Sequence, residues 1–149
     1  MDRIIVTTDF SLSSRVAYPK AIAIASGFDM TIDLIHVLNP NFVPPLYYQE
    51  LAFPVEIEKA KSRCKTQLKK ELGTYFGNTV SEFHLLEGIP FKEIIDYGVK
   101  TNADMIIMAS HGHSAINQLL FGSTVDKVVR KSTVPVLSVR DTGRSFELP

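Results

Sequence analysis

The chain is poor in the features that mark several protein classes. A single cysteine, Cys64, is present in 149 residues, which excludes an intramolecular disulfide and a thiolate zinc site. Charge of one sign is not in excess: 16 basic residues face 16 acidic ones. That balance argues against a nucleic-acid partner, whose phosphates call for a basic face. It leaves room for one small anionic ligand held by backbone amides. No apolar run reaches the roughly 18 residues expected of a membrane span, and "MDRIIVTTDFS" lacks a signal-peptide pattern. The composition therefore predicts a soluble cytoplasmic protein with no membrane partner.

Familiar catalytic and phosphate-binding signatures are missing as well. There is no G-x-x-x-x-G-K-[ST], no G-x-G-x-x-G after the first apolar run and no G-x-S-x-G. Cys64 falls on an apolar helical stripe and reads as inert packing. No side-chain constellation supports catalysis.

What is present is an alternation of periods. Five runs rich in apolar and β-branched residues, at 3–8, 31–38, 79–86, 104–110 and 134–140, read as strands. The first, fourth and fifth are nearly continuously apolar, as in strands buried on both faces of a parallel sheet. The third alternates, as an edge strand does. Helical spacing fills the gaps. Ala17, Ala21, Ile24, Ala25 and Phe28 line one face of a helix over 13–27, which Pro19 kinks or delays. Ile57, Ala60, Cys64, Leu68, Leu72 and Phe76 line a second over 55–76. Pro90 opens a third over 90–101, with Phe91, Ile94, Ile95 and Val99 inward. Val125, Val128 and Val129 mark a fourth over 123–132. This βαβ alternation predicts one α/β domain over 1–140, followed by a tail at 141–149. The connection at 39–54, rich in proline and aromatics, is too long for a routine βα loop. It packs on its own domain or serves as a lid or subunit contact.

Ligands of such sheets lie beyond the carboxyl ends of the strands. After the first strand, Asp9 either accepts from a nucleotide or caps the next helix. After the fourth comes "SHGHSAINQLLFGST" (110–124). Gly112 permits an anion nest, and Gly122 precedes Ser123 and Thr124 at a helix start, whose unpaired amides attract phosphate. Alternatively "STVD" (123–126) is a capping box in which Asp126 reaches back to the Ser123 amide. His111 and His113 supply at most two metal ligands, so no metal site from protein side chains is expected. His36 and His84 fall on strands and read as satisfied core or rim groups.

Taken in order, "IIVTTDFS", "IDLIHVL", "EGIPFKEII", "NADMIIMASHG", "LLFGST" and "VPVLSV" resemble the universal stress protein family over about residues 2–140. The resemblance implies a Rossmann-like open parallel five-stranded sheet of order 3-2-1-4-5 with helices on both faces, often in a homodimer. In the family's nucleotide-binding branch, a glycine, two residues, a glycine, nine residues, then glycine and Ser or Thr hold the phosphates. The matching positions here are Ala109, Gly112, Gly122 and Ser123. By the same alignment Asp9 meets ribose or adenine, Val37 offers backbone groups to the adenine and Met108 lines the base pocket. Thr7, Thr8, His111 and Thr124 complete the site. The implied ligand is ATP or another adenine nucleotide, alone or with Mg or Mn, and any hydrolysis is slow because no base, arginine finger or lysine is evident.

Two departures from the family pattern matter. Ala109 replaces the first glycine: at positive φ this costs about 1 kcal/mol or more, whereas a role in close approach alone lets a shifted nucleotide fit. Thr7 stands where many binders have proline. Two other readings stay open, a nucleotide-free dimeric interaction module and a phosphohydrolase using His111 or His113. For the dimer, the strand at 134–140 would end the sheet and invite pairing with a second copy.

Overall fold

The computed structural model describes residues 2–40, 53–110 and 123–140, with the side chains of 53–56 left aside. Five parallel strands, β1 (Arg3–Thr7), β2 (Thr31–Leu38), β3 (Ser81–Glu87), β4 (Met105–Ser110) and β5 (Val136–Arg140), form one sheet in the order β3-β2-β1-β4-β5. This is the expected Rossmann-like order. Strand order reverses beside β1, whose neighbours β2 and β4 are reached by crossovers in opposite directions.

Helices cover both faces. A 3-10 turn at Ser14–Ala17 leads into α1 (Tyr18–Phe28), with Pro19 in its first turn. There the missing N–H of proline costs no helical bond, so the proline delays the α-helix rather than bending it. α2 (Phe53–Glu71) runs on into a wider π-helical turn at Leu72–Phe76. Tyr18, Ala21, Ala25, Leu68 and Phe76 pack with Ile4, Val6, Ile32, Leu34 and Ile107 on one face of the sheet. On the other face, α3 (Pro90–Lys100) and α4 (Thr124–Lys131) place Ile94 and Val128 against Ile5, Ile35, Ile106 and Met108.

Gly98 brings α3 close to that second face. A Cβ at this position would stand 3.2 Å from Ile106 Cδ1 and 3.4 Å from Val134 Cγ2, which leaves no room for a longer side chain.

Three expectations change. Phe28, assigned to the inward stripe of α1, is 74% exposed. The helix ends there, Asp29 turns left-handed (φ 56°), and Met30 packs against the core. Val99 and Val129 are likewise exposed. β5 is not doubly buried: Val136, Leu137 and Val139 are half-buried, while Ser138 and Arg140 are exposed. Among the described residues β5 pairs with a strand on one side only, with β4.

A buried charge ties α1 to α2. Glu71 is 1% exposed, yet it accepts from Arg15 Nη2 at 2.7 Å, from Arg15 Nε at 3.1 Å and from the Tyr18 hydroxyl. Burial opposes its charge, but the bonds from Arg15 and Tyr18 prevail and hold the carboxyl below its ordinary value. The same burial, with the bond to Glu71, pushes the Tyr18 hydroxyl up.

Candidate functional site

The carboxyl end of β1 opens into a polar turn. Thr8 extends the pairing with β2 by one residue, its N–H reaching Ile35 O at 2.9 Å. Its hydroxyl accepts from Phe10 N–H at 2.9 Å and meets Ser14 Oγ at 3.1 Å. Since Ser14 spends its own proton on Ser11 O (2.8 Å), Thr8 is the donor to Ser14. Asp9 Oδ1 accepts from both the amide and the hydroxyl of Ser11, an Asx turn that fixes the exposed carboxylate at the strand end. The helical segment itself starts at Ser13, which makes no side-chain capping bond. The helix-start amide of Ser14 donates instead to Ser11 Oγ at 3.2 Å, and Asp9 holds that serine in place.

Phe10 takes φ 67°, a left-handed conformation that a bulky residue adopts only under constraint. The constraint is visible: its amide is held by Thr8, and its ring packs on His36 with centroids 4.4 Å apart. His36 Nδ1 lies 2.7 Å from Thr8 O. A carbonyl only accepts, so Nδ1 carries the proton. Burial lowers the pKa of this imidazole, against the smaller opposing effects of Thr8 O and Asp9. His36 is thus the satisfied group the sequence led us to expect. His84, expected to be satisfied too, instead leaves its buried Nε2 without a hydrogen-bond partner among the described residues.

The sequence-predicted site residues divide between the two faces. Met108 is buried beside Ile5 and Ile35, with Val37 against the same cluster. Thr7 follows Ile5 onto that face by the alternation of the strand. Ala109 points the other way and packs with the α1–α2 core. Its backbone is ordinary strand, paired with Val139 in register, and it is not among the residues with positive φ. The strain that alanine would suffer in a left-handed conformation is therefore absent.

α4 begins at Ser123, whose side chain accepts from Asp126 N–H at 3.1 Å. One half of the expected capping box is formed in this way. The Asp126 carboxylate accepts from Arg130 Nε at 2.9 Å, an i,i+4 pair along the helix. The Ser123 oxygen acts as the acceptor in the cap, and among the described residues its hydroxyl proton meets no acceptor beside Thr124 at the positive end of the helix. His111, Gly112, His113 and Gly122 lie outside the described residues, as do most of the 39–54 connection and the 141–149 tail.

Sequence reasoning missed Ser11, Ser14 and Gly88. The i, i+3 spacing of the two serines after a strand was the available signal. Gly88 adopts φ 144°, and its N–H reaches Leu38 O at 2.9 Å, tying the ends of β3 and β2 together at the mouth of the sheet. An added Cβ there would lie 2.6 Å from Glu93 Oε1.

The comparisons with known proteins agree with this architecture. The universal stress protein MJ0531 of Methanocaldococcus jannaschii is 29% identical over 93% of this chain and 81% of its own length. The universal stress protein A homolog 1 of Coxiella burnetii is 27% identical over 91% and 94%. Among solved structures, that of hypothetical protein MJ0577 superposes with a TM-score of 0.70 at 27% identity, covering 96% of this chain and 98% of the other. A universal stress protein solved in complex with cAMP superposes at 0.63 with 25% identity, covering 93% and 96%. The model of the universal stress protein family matches residues 1–140, and the chain belongs to that family.

Proposed function

We propose that this chain is a regulatory stress-response protein that binds an adenine nucleotide, ATP foremost, beyond the carboxyl ends of β1 and β4, and hydrolyses it slowly at most. The observation that carries the reading is the backbone at Ala109. Its extended, strand-paired conformation removes the strain by which alanine would have spoiled the site. Asp9 supports it, held at the strand end by Ser11 and exposed to solvent. Met108 and Val37 add an apolar wall on one face of the same strand ends. A relative solved with cAMP shares the fold at 25% identity, and cAMP carries the same adenosine. Thr7, Thr8, His111, Gly112, Gly122, Ser123 and Thr124 complete the proposed contacts, with Mg or Mn as a companion of the phosphates.

Titration of the purified, nucleotide-free chain with ATP and magnesium in a calorimeter tests the reading. One equivalent of heat-producing sites is expected. Absence of heat, together with no nucleotide released when freshly purified protein is denatured, would refute it.

A second reading rests on β5. Its half-buried apolar residues line a sheet edge that is unpaired among the described residues, which suits antiparallel pairing with a second copy. In this reading the chain is a dimeric interaction module without a nucleotide. Light scattering of Val139→Lys separates the two: loss of the dimer with ATP binding intact supports nucleotide binding as the primary function.

A further inference from the structure

At the amino-terminal half of the sheet, away from the strand ends, three metal-ligating side chains converge. Asp33 on β2 is paired in register with Glu82 on β3, and Ile35 is paired with His84, so Asp33, Glu82 and His84 share the face covered by α3. One ligand atom from each lies within 4.8 Å of the others. His84 Nε2 is 3.6 Å from Glu82 Oε2 and 3.9 Å from Asp33 Oδ1, too long for hydrogen bonds and about the spread of ligands around a common ion. Nε2 itself is fully enclosed and has no hydrogen-bond partner. A buried ring nitrogen facing two carboxylates at these distances sets three donor atoms around one point.

The surroundings suit a cation. Asp33 is 2% exposed at its side chain, and its Oδ2 accepts from Arg3 Nη1 and, at 2.8 Å, from the Tyr97 hydroxyl. Those bonds occupy one oxygen and orient the other toward His84, the arrangement by which outer partners fix a ligating carboxylate. Tyr97 also packs on the His84 ring, with centroids 5.4 Å apart, and limits its rotation. Glu82, 72% exposed at its side chain, forms the outer wall and leaves an entry path from solvent. The Arg3 charge weakens the attraction for a cation, which places the site among exchangeable ones rather than permanent structural ones. Asp33 lies four residues before Val37 along β2, roughly 13 Å at strand rise, so this cluster is separate from the proposed nucleotide site.

We propose that Asp33, Glu82 and His84 form a binding site for a divalent transition cation of the zinc type, with water completing its coordination. One nitrogen and two carboxylate oxygens match the donor preference of zinc and its neighbours better than that of magnesium or calcium.

The test uses the full-length, nucleotide-free chain and zinc chloride alone. Calorimetry is expected to give one site per chain, and His84→Gln and Glu82→Gln are each expected to weaken it by about tenfold or more. Glu82 is exposed, so its variant keeps the fold, and a circular dichroism melt of each variant verifies this. The His84 side-chain nitrogen signals are expected to move on adding one equivalent of zinc, while those of His36 stay. Zinc binding that survives both substitutions, shifts confined to His111 and His113, or no binding up to 1 mM zinc, as with a bridging water only, would each overturn the proposal.

Discussion

Arg15 Nη2 stands 2.7 Å from Glu71 Oε1 across 56 residues of chain, and Tyr18 bonds the second carboxylate oxygen. This contact joins the 3-10 turn that leads into α1 to the end of α2. Removing the carboxylate strands a guanidinium and a buried hydroxyl together. Glu71→Ala is therefore expected to lower stability by about 2–3 kcal/mol, below the roughly 3–5 kcal/mol of fully buried pairs because Arg15 keeps some access to water. Urea unfolding measures it, and Glu71→Gln should recover part of the loss through the Tyr18 bond.

Acid should act in two stages. The pKa of His36 is lowered chiefly by burial, so the unfolded chain takes up a proton first. Its contribution to stability is complete above the ordinary value of 6.5 and is lost as pH falls through the region beneath it. Glu71, also held below its ordinary value, protects the fold above 4.5 and fails as pH drops further. Urea midpoints between pH 8 and pH 3 should show both declines, and His36→Phe should flatten only the first.

Ala109→Gly separates the effect of the methyl group on folding from its effect on binding. The methyl packs with the α1–α2 core and the backbone is extended. Glycine there should reduce stability by about 1 kcal/mol, while ATP affinity stays within about threefold of the parent, or 0.7 kcal/mol. A binding signal that appears only in the variant would favour the nucleotide-free module instead.

Asp9→Ala should have the opposite profile. The exposed carboxylate accepts from the Ser11 amide and hydroxyl in a surface turn, so stability should fall by about 1 kcal/mol. Nucleotide affinity should fall at least tenfold, about 1.4 kcal/mol, on calorimetric titration. Equal affinity would remove Asp9 from the site.

Gly98→Leu is expected to destabilise the fold by about 1–3 kcal/mol through overpacking. The position faces Ile106, Val134 and Ile5 at contact distance. Thermal melts check it, and a neutral result would mean that α3 can lift from the sheet without loss.

The pattern of the chain was enough for the parallel α/β class. Apolar runs such as "RIIVTT" and "DMIIMAS" have no solvent-facing residue to spare, and the stripes between them fit only helices. Pro90 and Ser123 marked helix starts because their chemistry acts on immediate neighbours. The ends of stripes were harder to read. Phe28 kept the right spacing, yet it fell where α1 stops and turns at Asp29, so periodicity assigned it a core it does not reach.

The proposed sites were legible to different degrees for the same reason. Asp9 follows β1, and Met108 and Ala109 lie in the carboxyl-terminal half of β4; the rule that ligands gather at strand ends is a property of topology, which alternation alone reveals. Whether Ala109 is strained depends on a backbone angle, and that was decided by the pairing of β4 with β5. The convergence of Asp33, Glu82 and His84 depends on the register of β2 against β3, and the burial of Glu71 on how α1 lies over α2. Residues 49 or 56 positions apart meet only once the sheet has closed and the helices have packed. Local sequence therefore determined the elements and their order, because strand and helix periods act over a few residues. Tertiary packing alone decided which charges are buried, which are paired and which converge, because those outcomes depend on neighbours that the sequence places far away.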